Sequence, residues 1–232
     1  MDFQGYGDLL ILGAGMTLRL AVGAVALGLV LGLIGAALKL SRSRLARAIG
    51  NGYTDLFRGL PELLVVLILY YGAETLLRHV VNDLLGIDSY VEISPFLGGV
   101  IALGMIFGAY SSEVFRGAVL SIPKGHVEAA KAFGMTPFMT YRRIILPQVW
   151  RVALPGLGNL FLVTLKDTAL VSVIGLDELM RAANTAGRST RDYFTFLMAA
   201  AVLYLVLTLL SMAVIHVLER RASRGHLGAA GQ

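Results

Sequence analysis

Apolar and charged positions alternate in blocks along this chain, with long uncharged runs separated by short basic stretches. Positions 20–38 give 19 residues without a charge, about 28 Å of helix at 1.5 Å per residue, enough to cross a hydrocarbon core. Positions 95–112 give 18 and positions 193–215 give 23. Two further runs are interrupted. Only 63–73 is uncharged in the second, 11 residues, too few to span alone, so a crossing there must carry Glu62 and Glu74 near or inside the apolar slab. The fourth, 152–176, contains the adjacent pair Lys166 and Asp167. The pattern predicts an all-α integral membrane protein of five transmembrane helices, at about 9–38, 53–77, 95–118, 152–176 and 193–217, forming one domain over 1–232.

Composition and charge sharpen this picture. Apolar residues make up 56% of the 232 positions and charged residues 15%. With a mean hydropathy of +0.74, these values depart from those of soluble domains. The net charge of +5 sits mostly in the segments between apolar runs, so it records membrane orientation rather than a nucleic-acid partner. Lys39, Arg42, Arg44, Arg47, Lys124, Lys131, Arg142, Arg143, Arg151, Arg220, Arg221 and Arg224 fall on one side, whereas Arg78, Arg181, Arg188 and Arg191 fall on the other. This bias places the N-terminus outside and the C-terminus in the cytoplasm, with outer loops at 78–92 and 177–192. Asp2, Asp8 and the lack of a basic residue before Arg19 do not read as a cleavable signal peptide.

Most catalytic chemistry finds no foothold. There is no cysteine, hence no disulfide or thiolate chemistry. There is no Gly-Lys dipeptide, so no phosphate-cradling loop, and His79, His126 and His216 lack the spacing of a metal site. The ionisable residues in the crossings are candidates for function because charge at such depth is costly unless it meets a partner or a water-filled path. Lys166 and Asp167 lie about 100° apart on a helix and cannot both face one partner. Glu113 and Arg116, three apart, are spaced to pair on one helix face. Gly28 and Gly32 form a small-xxx-small pair that permits close helix approach.

The segment 121–150 between the third and fourth crossings is longer and more basic than a connection requires. Glu128 to Phe133 are mostly good helix formers ended by Gly134, a second helical piece can run from Phe138 to Ile145, and Pro147 is expected to break the chain. Glu128-Ala129-Ala130, then three residues, Gly134, nine residues, Ile144, one residue and Leu146-Pro147 resembles the EAA loop in permease subunits of bacterial ABC importers. The resemblance extends over nearly the whole chain to the polar amino-acid permeases of that family. It is carried by Arg58-Gly59-Leu60-Pro61-Glu62, Glu113-Val114-Phe115-Arg116-Gly117-Ala118, Ile122-Pro123-Lys124-Gly125 and Lys166-Asp167-Thr168-Ala169-Leu170. It is strongest to the Q-type subunits of histidine/lysine/arginine/ornithine importers.

That resemblance implies a type I importer permease fold in the bacterial inner membrane. It also implies that Glu128, Ala129, Ala130, Gly134, Ile144, Leu146 and Pro147 form the coupling surface for a dimer of ATPase subunits. ATP and Mg would be bound by those subunits, with no cofactor on this chain. A distinct M-type permease, a periplasmic amino-acid binding protein and membrane lipid complete the implied partners. In many relatives that carry neutral or acidic amino acids the position after Arg-Gly-x-Pro is apolar, whereas here it is Glu62. A buried carboxylate compensates desolvation of a guanidinium or ammonium, so Glu62, Glu74, Lys166 and Asp167 are the expected pathway or gate residues for basic amino acids. Another polar amino acid or an opine is the alternative cargo. An ion-gradient transporter using Lys166 and Asp167 as a relay is the alternative mechanism.

Overall fold

The computed structural model describes residues 5–80 and 93–223. Positions 81–92 of the expected outer loop, Asp2 and Arg224 lie outside the described residues. Every regular element among those described is helical: α1 (Gly7–Leu40), α2 (Arg44–Gly59), α3 (Glu62–His79), α4 (Pro95–Leu120), α5 (Lys124–Ala132), α6 (Pro137–Thr140), α7 (Leu146–Asp167), α8 (Leu179–Thr190) and α9 (Tyr193–Ser223). A π turn, Tyr141–Ile145, joins α6 to α7, and a 3-10 turn, Thr168–Ile174, follows α7. Four stretches are long and apolar enough to cross a membrane: α1, α4, Pro137–Ile174 and Tyr193–Ala222. A fifth is present if α2 and α3 count as one span.

The centre of the bundle is the pairing of α1 with α4. A Cβ on Gly28 would sit 2.6 Å from a ring carbon of Phe107 and 2.9 Å from the Gly104 carbonyl, and one on Gly32 would meet the Ser111 hydroxyl. The small pair therefore lets α4 of the same chain approach, and the Ser111 hydroxyl donates to the Gly28 carbonyl at 3.3 Å. Gly23 faces Val100, Gly28 faces Gly104, and Gly35 faces Ser112. Both numbers rise together, so α1 and α4 run parallel. The chain must return between them, and α2 and α3 lie on that return leg.

That leg is not the single helix expected at 53–77. α2 and α3 meet at 110°, because Pro61 has no N–H to donate and its ring pushes Leu60 into extended backbone (φ −103°, ψ 147°). The expected crossing at 152–176 also differs. It begins at Leu146, ends as α-helix at Asp167, and tightens into the 3-10 turn that stops at Gly175 (φ +102°). Pro147 does not break the chain. It sits in the first turn of α7, where the wider π turn before it, closed by Leu146 N–H to the Tyr141 carbonyl, accommodates the missing donor.

The segment 177–192, expected as a loop, contains α8. Beyond Leu179 its buried face is small, made of Ala182, Ala183, Ala186 and Gly187, and packs on Leu10 of α1 and on Phe196 and Ala200 of α9. Fully buried Glu178 caps it, accepting from the backbone N–H groups of Met180 (2.9 Å) and Arg181 (2.8 Å). The same carboxylate accepts from Tyr204 of α9 at 2.8 Å and Thr17 of α1 at 3.4 Å. Burial pushes the Glu178 carboxyl upward, against the pull of these four donated hydrogen bonds.

At the other end of α1, the buried Lys39 ammonium donates to Glu113 of α4 and to Thr54 of α2. Arg116 donates to the second Glu113 oxygen at 2.9 Å. The expected pair of Glu113 and Arg116 is therefore two members of a larger network joining three helices.

Candidate functional site

Two groups of residues stand out, one on the segment that precedes α7 and one inside the bundle. In the first, α5 ends in a two-bond cap. The Met135 N–H reaches the Ala130 carbonyl at 3.0 Å, and the Gly134 N–H reaches the Lys131 carbonyl at 2.9 Å. Gly134 takes φ +70°, the left-handed backbone this closure needs. No atom lies within 4 Å of where its Cβ would be, so the requirement is conformational and not one of space. Thr136 then caps α6, its hydroxyl accepting from the Met139 N–H at 3.3 Å.

The reversal at Gly134 folds the first half of the motif onto the second. Ala129, Ala130, Ile144 and Pro147 line one cleft of about 530 Å³ together with Met135 and Arg151. Leu146 turns away from it and, with Pro147, lines a second cleft against Leu33, Ala36 and Phe115 of α1 and α4. Glu128 is exposed and lines a third, beside Lys131 and Ile145. The motif is thus a mechanical unit: one edge is open, and the other is continuous through the π turn with α7. Sequence reasoning did not single out Phe133 and Phe138, which are 88% and 69% exposed. The available signal was two aromatic residues in an otherwise polar segment flanking the glycine turn.

In the second group, Glu62 and Asp167 line one cavity of about 180 Å³ with Tyr110, Thr164, Phe107 and Leu160. Glu62 is the first residue of α3, just past the bend, and Asp167 is the last residue of α7. Both are half-buried, and two negative charges on the wall of one small cavity repel. The helix runs on from Asp167 through the 3-10 turn to Ile174, so its carboxylate has no helix N-terminus beside it. An anion in that position gains from a cation placed beside it. Lys166 is exposed on another face, as the 100° separation requires. Glu74 is not part of this site: it pairs with Arg78 at 3.0 Å one turn along α3. Twelve residues of helix separate it from Glu62, about 18 Å. The Arg58 guanidinium, at the end of α2, lies over the Tyr110 ring with Cζ 5.3 Å from the centroid.

A helical membrane bundle that carries a folded, partly exposed motif continuous with a transmembrane helix, and an ionisable cavity at a helix break, is built as a transport subunit. The chain belongs to the binding-protein-dependent transport system inner membrane components, whose family profile matches residues 28–224. It is 47% identical over 221 residues to the histidine/lysine/arginine/ornithine transport system permease protein HisQ of Salmonella typhimurium, covering 95% of this chain and 96% of that one. It is 44% identical to the octopine transport system permease protein OccQ of Rhizobium meliloti, covering 96% and 93%. A crystal structure of an amino acid ABC transporter with histidines aligns with a TM-score of 0.79 at 35% identity, covering 95% of this chain and 99% of that one. The chain is an amino-acid ABC permease of the Q-subunit type, a multi-pass protein of the inner membrane.

Proposed function

We propose that this permease carries basic amino acids, with arginine, ornithine, lysine and histidine as the cargo set, into the cytoplasm in an ATP-driven importer. The observation that carries the cargo assignment is the meeting of Glu62 and Asp167 in one cavity. Two half-buried carboxylates repel when the cavity is empty, and a guanidinium or ammonium between them offsets both that repulsion and their desolvation. The name of the HisQ relative supports the same class of cargo.

Energy comes from a separate ATPase dimer, which holds ATP and Mg. Those subunits dock on the motif at Glu128–Pro147, where Phe133 and Phe138 supply apolar area that a partner would cover. A second, M-type permease completes the pathway, and a periplasmic binding protein delivers cargo to the outer face. The basic residues at 39–47, 124–151 and 220–224 favour a cytoplasmic position for the motif. Closure of the ATPases moves the motif, and its continuity with α7 carries that displacement to Asp167 as a rigid-body change.

Proteoliposomes holding the two permeases and the ATPase, supplied with binding protein, test this reading. Labelled arginine should accumulate only with ATP, and excess lysine, ornithine or histidine should compete. Uptake driven by a proton or sodium gradient without ATP would overturn the mechanism. Stronger competition by octopine than by arginine would move the cargo to the opine class.

A further inference from the structure

The carboxylates of the cavity account for the cationic side chain of a basic amino acid but leave its α-carboxylate without a partner. Arg58 is placed to supply one. It lies in the last turn of α2, four residues before Glu62 across the bend, and its guanidinium lies against Tyr110, which lines the cavity with Glu62 and Asp167. Among the described residues, no carboxylate or carbonyl accepts a hydrogen bond from it; the ring contact is its one interaction. A cation–π contact takes up none of the guanidinium N–H groups in a hydrogen bond to oxygen, and their fork geometry matches a carboxylate.

We infer that Arg58 is the α-carboxylate receptor of this permease, held in position by its cation–π contact with Tyr110. Together with Glu62 and Asp167 it selects amino acids that carry both a carboxylate and a basic side chain. The bend at Pro61 makes this possible: it sets Glu62 on the cavity wall while Arg58, four residues earlier, lies against Tyr110 at the cavity's edge, so that opposite charges address opposite ends of one molecule. This inference rests on the cavity being the cargo site.

The test is direct binding to the detergent-purified permease–ATPase complex without binding protein, using labelled arginine displaced by arginine, arginine amide and agmatine. Agmatine is arginine without its carboxylate, and the amide has lost only the charge. In the native complex both should displace at least tenfold more weakly than arginine. Arg58→Gln should weaken arginine at least tenfold and bring the three ligands to similar strength, while Arg58→Lys should retain part of the preference. Tyr110→Leu, which alters the cavity wall as well, should narrow the preference for arginine over agmatine. Co-purification of the ATPase in normal amounts, expected because Arg58 is exposed in the bundle, shows that each variant is assembled. An Arg58→Gln complex that still prefers arginine over agmatine overturns the role of Arg58 and leaves the cavity assignment standing. Arginine binding that is indifferent to both Glu62→Gln and Asp167→Asn overturns the cavity assignment, and this inference with it.

Discussion

Glu62 and Asp167 reach the same cavity from different settings, Glu62 opening α3 and Asp167 standing where α7 tightens into the 3-10 turn. The dipole of α3 favours a negative Glu62, whereas Asp167, inside a continuous helical stretch, has no such support. Asp167 is therefore the carboxylate that gains more from a bound cation.

Glu62→Gln and Asp167→Asn should each weaken arginine binding roughly ten- to hundredfold, the scale of a lost hydrogen bond to a charged group at about 1.5–3 kcal/mol. Lys166→Gln, on the exposed face, should change it less than threefold. Binding of labelled arginine to the purified complex reads all three. Equal losses for Lys166→Gln and Asp167→Asn would contradict the orientation of α7.

Gly134 separates strain from crowding. Its φ is +70° and its surroundings are open, so Gly134→Ala should cost about 1–2 kcal/mol in the cap of α5, and Gly134→Val more. Gly134→Asp should be milder than Val, since Asp tolerates this backbone. ATPase co-purification should fall in the order Gly, Asp, Val while the amount of chain in the membrane stays constant. An unchanged Val variant would show that docking does not use this turn.

The Lys39 network predicts a non-additive pair. Glu113→Ala leaves a buried ammonium without its carboxylate and should destabilise by about 3–5 kcal/mol. Lys39→Met combined with Glu113→Leu should cost far less, because no unpaired charge is left behind. Thermal unfolding in detergent gives the cycle; additive losses would mean the two groups do not interact.

Glu178 gives a pH-dependent handle. Its carboxyl is pushed up in the folded chain by burial, so the folded state holds its proton more tightly than the unfolded one. Its contribution to stability is greatest below the ordinary carboxylate value and declines as pH rises through the window up to the folded value. Glu178→Gln should flatten that part of the pH profile of the melting temperature. Glu178→Ala, which strips the acceptor from Met180, Arg181 and Tyr204, should lower stability by several kcal/mol, at about 1–3 for each buried group left unsatisfied.

The membrane class, three of the spans and the helix–glycine–helix form of the segment 128–147 were legible in the chain alone. They rest on properties that local sequence carries: unbroken apolar runs, a glycine after a short helix, and residue types at motif spacing. Pro61 was equally visible, yet the 110° bend it makes was not, because a proline in an apolar run can kink, break or merely start a helix. Only the neighbouring α4 decides which. α8 escaped because small residues bury its inner face and its outer face is charged, so hydropathy reads it as a loop. Glu74 and Lys166 carried the same signal as Glu62 and Asp167, and nothing local ranks four ionisable residues in apolar surroundings. That ranking came from tertiary structure. The bend at Pro61 and the end of α7 bring two of them into one cavity, while a neighbour one turn away neutralises the third and the helical rotation leaves the fourth outside. Charge at depth is set by the sequence, but what each charge meets is set by packing between segments distant in the chain.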